Sequence, residues 1–190
     1  MRDFNIAFTG HGPGKLYGYD MDSYPYLELE MNIENTIEWL IQWWNAKKFY
    51  TGGALGFDTI VAKTLIELRK DRYSDIEDIV CVPFKEQYRN WTNEQAKEWL
   101  YIANNSFKSL AIDKIEGYEC NEVPVGKYHP HKMELRNRYM VDNCDILVAC
   151  WDGEKQGGTW NCIKYALDND KRVLIINPHT LKTNKEYFGR

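Results

Sequence analysis

Three short stretches carry almost no polar alternation: "IVCVPF" (79–84), "DILVACW" (145–151) and "RVLIINP" (172–178). A strand that is apolar on every residue has both faces buried, which is the condition of a parallel sheet covered by helices on each side. Between these runs the apolar residues recur at helical spacing. Ile33, Ile37, Leu40, Ile41 and Trp44 predict a helix over 32–45, and Phe57, Ile60, Val61, Leu65 and Leu68 predict another. "NIAFTG" (5–10) reads as a first strand, "KFYTGG" (48–53) as a second and "SLAID" (109–113) as a further short one. Helices are also expected over 92–104, over 132–143 and after Gly157-Gly158. The long loops fall at 11–30, rich in Gly, Pro and Tyr, and at 114–131. The expected fold is α/β: a Rossmann-like three-layer sandwich with a mainly parallel central sheet. The 190 residues are read as one domain, 1–190, with a full core, since 44% of them are hydrophobic.

In such a fold the ligand sits beyond the carboxyl ends of the strands. The loops after Thr9, Thr51, Val82 and Trp151 should therefore converge on one crevice. "TGGALGFD" (51–58) follows a strand, and its glycines let backbone N–H groups approach an anion at a helix N-terminus. It is neither a Walker A loop nor a GxGxxG fingerprint. It is either a binding loop or a tight turn in which Asp58 favours the helix dipole. "FTGHGPGKL" (8–16) is a second glycine turn, where Thr9 and Gly10 end the strand and His11 and Lys15 offer donors to phosphate; alternatively Lys15 is simply solvated. "GGT" (157–159) opens a helix that Thr159 can cap, with amides able to hold an oxyanion. On the helix over 132–143, Met133, Asn137, Met140, Val141 and Cys144 share a stripe, so Asn137 must find partners there. Arg136 beside it suits a bidentate phosphate contact or an ion pair with Glu134 or a neighbouring element.

Charge bears on the partner. The formal net charge is −4, with 24 basic and 28 acidic residues and no long basic run, so a nucleic-acid partner is expected to be unlikely. Seven Trp and thirteen Tyr suit packing or stacking on a flat ligand such as a base. Five scattered cysteines without a CxxC pair read as reduced thiols in a cytoplasm, that of a bacterium or of a virus-infected bacterial cell. No apolar run is long enough for a membrane span, so no membrane association is expected. His129 and His131 flank Pro130 without a recognised ligand spacing, so no metal and no cofactor is expected.

In this order, "FTGHGPGKL", "GGALGFD", "VPF…Q…W" and "YHPHKMELRNRYMVDNCDILVACWDGEKQGGT" resemble the YpsA-like family of the SLOG superfamily over nearly the whole chain. The resemblance implies a nucleotide-type pocket built from Gly10, Gly52, Gly53, Gly56, Asp58, Arg136, Asn137, Gly157, Gly158 and Thr159. It implies base-side contacts from Phe84, Gln87 and Trp91, with Trp91 or Trp151 stacking on the base. It also implies homo-oligomers, and a small-molecule ligand that is a nucleotide or NAD-derived. Two departures stand out. The family's usual GHRP has Gly12 in its arginine position here. The phosphoribohydrolases of the superfamily carry a Glu two residues after GGxGT, where this chain has Cys162. Cleaving an N-glycosidic bond needs a carboxylate or a substitute; Asp58, Asp142 or Asp152, the last at a strand end, could supply one from another element. The expectation is a binding protein, a sensor or a sponge; the alternative is an N-glycosidic-bond enzyme of phosphoribohydrolase or deoxyribosyltransferase type.

Overall fold

In the computed structural model, which describes residues 2–187, a seven-stranded sheet runs in the order β4-β3-β2-β1-β5-β6-β7. The strands are β1 (Phe4–Gly10), β2 (Ala46–Thr51), β3 (Glu77–Val82), β4 (Lys108–Ala111), β5 (Ile146–Cys150), β6 (Arg172–Ile176) and β7 (Thr183–Tyr187). The helices are α1 (Tyr24–Trp44), α2 (Phe57–Asp71), α3 (Asn93–Asn105), α4 (Pro130–Asp142) and α5 (Gly157–Asp168). The pairs from β4 through β6 are parallel, and β7 adds antiparallel to β6. This is the expected α/β three-layer architecture.

Alternation along each strand divides its side chains between two apolar layers. Ile6, Phe8, Phe49, Ile146 and Val148 pack with Ile33, Ile37 and Leu40 of α1 and Phe57, Val61 and Leu65 of α2. Ala7, Tyr50, Cys81, Leu147 and Ala149 pack on the opposite face with Met140 and Val141 of α4 and Cys162, Ile163 and Ala166 of α5. Both faces of β1 and β5 are thus covered, which is why their sequences read as continuous apolar runs.

Two boundaries differ from the sequence reading. Helix α1 begins at Tyr24 and not near residue 32, so the first long loop ends at Ser23. "YPYLELE" is helical because Pro25 lies in the first turn, where a missing N–H is tolerated, and because Tyr26, Leu29 and Ile33 bury a common face. The helix stops at Asn45, whose φ of 51° is left-handed and whose N–H reaches Leu40 O. Strand β7 was not expected at all; it is a polar segment at the sheet edge, with no apolar pattern to reveal it.

The chain leaves β1 toward β2, β3 and β4 on one side, and β5 and β6 extend the sheet on the other. The carboxyl ends of β1 and β5 therefore flank the topological switch point, where α/β sheets open a crevice.

Candidate functional site

A cleft of about 310 Å³ lies at that switch point, lined by Thr9, Gly10, His11, Gly12 and Lys15 after β1, Ala54 and Asp58 at the start of α2, Met133, Arg136 and Asn137 on α4, and Gln156 to Thr159 at the start of α5. Four separate segments meet there because each follows a strand end or packs over one.

His11 ties the loops together. It is 5% exposed, and its carbonyl accepts from Phe57 N. Its Nε2 lies 3.1 Å from Asp152 Oδ1, and its Nδ1 lies 3.4 Å from Thr159 Oγ1. Burial works against the Asp152 carboxylate, yet the Glu154 amide and His11 hold it below the usual carboxylate range. Asp152 braces His11 beside the cleft and is not among the residues lining it. Thr159 does not cap α5. The N-cap is Gln156, no side chain caps it, and the Thr159 hydroxyl turns to His11. Lys15 Nζ is paired at the surface with Glu154 Oε2 at 3.0 Å.

Arg136 and Asp58 form the polar floor. Arg136 Nη1 donates to Gly52 O and lies 3.6 Å from Asp58 Oδ2, and its Nε donates to Asn137 Oδ1 at 2.9 Å. Glu134, the alternative ion-pair partner for Arg136, engages Arg138. Asp58 is 6% exposed, and burial pushes its carboxyl above the usual range, against the pull of Arg136 and the Ala54 amide. Its Oδ2 accepts from Ala54 N at 3.3 Å, but its Oδ1 is buried with no hydrogen-bond partner.

The glycines of "TGGALGFD" serve the chain's own close approaches. A side chain at Gly52 would collide with the Arg136 guanidinium, and Gly56, at φ 91°, brings its Cα side against His11 O and Gly12. Neither Gly52, Gly53 nor Gly56 lines the cleft. Gly56→Ala is expected to cost at least about 1–2 kcal/mol of stability, read from a denaturant midpoint, because Cβ would sit 2.8 Å from His11 O in a conformation that L-residues avoid.

A second cleft, of about 360 Å³, shares Ala54, Met133 and Arg136 with the first, so the two are adjacent. It is lined by Phe84, Gln87 and Trp91, the residues expected on the base side, together with Arg89 and Tyr128. Tyr128 meets Phe84 edge-on at 6.2 Å between ring centroids. Gln87 is held by donating to Gly53 O, and Trp91 leans edge-on against Trp99. Trp151 is not free to stack on a ligand: it is buried, stacked on Trp160, and its Nε1 donates to Glu154 O.

The sequence reading missed Ala54, Gln156 and Tyr128 as lining residues. The first two adjoin glycine motifs and were accessible by adjacency; Tyr128 sits in a loop without periodicity. Cys162, in the position of the phosphoribohydrolase carboxylate, is 2% exposed, and burial pushes its thiol up to about 12. All five cysteines are buried and free, and no helix among the described residues is long and apolar enough to cross a membrane.

The chain is 34% identical over 140 residues to an uncharacterised SPbeta prophage-derived protein, YoqJ, of Bacillus subtilis (strain 168), covering 74% of this chain and 81% of that protein. It is 26% identical over 176 residues to UPF0398 protein BCB4264_A1614 of Bacillus cereus (strain B4264), covering 88% of this chain and 82% of that one. Among solved structures it is similar to DNA processing protein A from Helicobacter pylori, with a TM-score of 0.56 and 16% identity, covering 92% of this chain and 66% of that chain. That protein has a single-stranded DNA binding mode described as unique. The expectation that nucleic acid is an unlikely partner is therefore corrected: a protein of similar fold binds single-stranded DNA. The family model YpsA, described as the YspA SLOG family, matches residues 6–181, and the chain belongs to that family.

Proposed function

We propose that the protein binds a phosphorylated nucleoside or an NAD-derived nucleotide across the two adjacent clefts, as a sensor or sponge, without phosphoribohydrolase chemistry. The observation that carries this reading is Asp58 Oδ1, a buried acceptor in the cleft wall with no donor. Leaving such a group unpaired costs about 1–3 kcal/mol, and a ribose hydroxyl would supply the missing donor once the cleft wall opens enough to admit it. The uncapped start of α5, with Gly157 and Gly158 exposed to the cleft, suits a phosphate held by amides and the helix dipole. Arg136, on the wall between the two clefts, would neutralise it. The base would lie in the second cleft among Phe84, Trp91 and Tyr128. The buried Cys162 thiol supports binding without catalysis, because it provides no carboxylate at that turn.

Mass spectrometry of small molecules released from natively purified protein is expected to find an intact nucleotide, and that compound is expected to raise the thermal midpoint. No retained nucleotide, and no shift with a panel of nucleoside monophosphates and NAD fragments, would sink the reading. Free base accumulating with time would replace it with hydrolysis or transfer.

A second reading, single-stranded DNA, is favoured by the fold shared with DNA processing protein A. Anisotropy of a labelled oligonucleotide across a salt series tests it, since phosphate contacts give a steep loss of affinity with salt. Displacement of the oligonucleotide by a nucleotide would mean that both use one cleft.

A further inference from the structure

The loop between β4 and α4 brings together three side chains that share no sequence motif. Cys120 Sγ, a Glu122 carboxylate oxygen and a His129 ring nitrogen all lie within 4.8 Å of one another. Cys120 Sγ is 3.0 Å from Glu122 Oε2 and 3.8 Å from His129 Nδ1. In a tetrahedral zinc centre, with bonds of about 2.3 Å to sulfur and about 2.0–2.2 Å to nitrogen and oxygen, the donor atoms stand about 3.5 Å apart. The two separations bracket that value. His131 Nδ1 lies 2.9 Å from the other carboxylate oxygen, Glu122 Oε1, which is how outer partners orient a ligating carboxylate. Cys120 is 8% exposed while Glu122 is exposed, so the cluster has a buried end and an open front.

We propose that Cys120, Glu122 and His129 bind a divalent metal of the zinc class, with His131 holding the Glu122 carboxylate. A thiolate, an imidazole and a carboxylate form a donor set that zinc accepts and that magnesium or calcium does not. On binding, the Cys120 S–H bond breaks, its proton passes to solvent, and the sulfur lone pair forms the metal bond. His129 Nδ1 exchanges the 3.3 Å bond it accepts from His131 N for the metal, and the fourth position is left to solvent.

The consequence is a clasp. Cys120 and His129 bracket Gly126, Lys127 and Tyr128, which line the second cleft. Metal would fix this segment at both ends and set the cleft wall that Tyr128 forms. The loop is already tied at its middle by Asp113, whose Oδ2 accepts from Gly126 N at 2.7 Å.

Cobalt(II) titrated into the full, metal-stripped chain tests the site without any nucleotide. The expected result is a thiolate-to-cobalt charge-transfer band that saturates at one cobalt per chain and is displaced by zinc. Cys120→Ser should abolish the band, while the other four cysteines, buried in the core, remain as an internal control. His129→Gln should weaken zinc binding by at least about 10–100-fold, and His131→Gln by about 10–100-fold with the band retained. Far-ultraviolet circular dichroism checks that each variant is folded; should one fail to fold, the other two and the wild-type stoichiometry decide. No band in the wild-type protein, a band that survives in Cys120→Ser, or binding that fails to saturate at one equivalent would overturn the proposal.

Discussion

Lys132→Met is expected to destabilise the protein by about 3–5 kcal/mol in a denaturant titration. Lys132 and Asp113 are each 1% exposed at the side chain, and Nζ donates to Asp113 Oδ2 at 2.8 Å and to Pro124 O at 2.9 Å. Removing the ammonium leaves a buried carboxylate facing only the Gly126 amide, with Oδ1 already unpartnered. The cost comes from the orphaned charge and not from the strength of the pair, since two desolvated ions repay little of what their burial takes. The double variant Lys132→Met with Asp113→Leu is accordingly expected to recover much of the loss. A double variant no more stable than Lys132→Met would show that the pair, and not the stranded carboxylate, accounts for the effect. The loop carrying Gly126 and Tyr128 hangs on this pair, so the second cleft should lose its form together with the stability.

Arg136→Met is expected to have the second large effect, and on two observables. Affinity for the nucleotide should fall by about 10–100-fold, the weight of a charge-assisted hydrogen bond. Stability should fall as well, because Asp58 loses its counter-ion and Gly52 O its donor. The pH dependence has a definite sign. The Asp58 carboxyl is held above its unfolded value by burial, with Arg136 and the Ala54 amide pulling it down. A group raised in the folded state contributes stability that is present below its unfolded value and lost as pH rises through the folded one. Without Arg136 the folded value climbs further, so the variant should lose more stability between mildly acidic and neutral buffer than the wild type does. Adding Asp58→Asn should flatten that slope. Equal slopes for wild type and Arg136→Met would mean that the guanidinium does not govern the carboxyl.

Much of this was legible in the residues. The unbroken apolar runs at 79–84 and 145–151 mark strands covered on both faces, and the three-layer sheet follows. The strand-end rule located the cleft, and all its lining positions but Gln156 fall in stretches recognisable by glycine spacing or helical periodicity. The start of α1 was obscured because Gly, Pro and Tyr suggest a loop, although a proline costs nothing in a first helical turn. Gly52, Gly53 and Gly56 fit a ligand by their spacing, and in the fold they lie against other parts of the chain. A missing side chain permits close approach, but it does not say whether a phosphate or another part of the chain comes close.

The sequence by itself determined the layers and the order of helices and strands, because burial is written into local periodicity that each segment carries alone. It also determined that a glycine pair opens α5 with Cys162, and no carboxylate, in the turn that follows. Only the tertiary structure decided which polar groups meet. Charges such as Lys132 and Asp113 read as surface residues until the fold buries them together. Asp58 Oδ1 is an orphan only because α4 and the loop after β2 close around it. Cys120, Glu122 and His129 become a cluster only where a loop without periodicity folds back on itself. Hydrophobic patterning specifies burial one residue at a time, whereas a hydrogen bond or ion pair depends on the position of two.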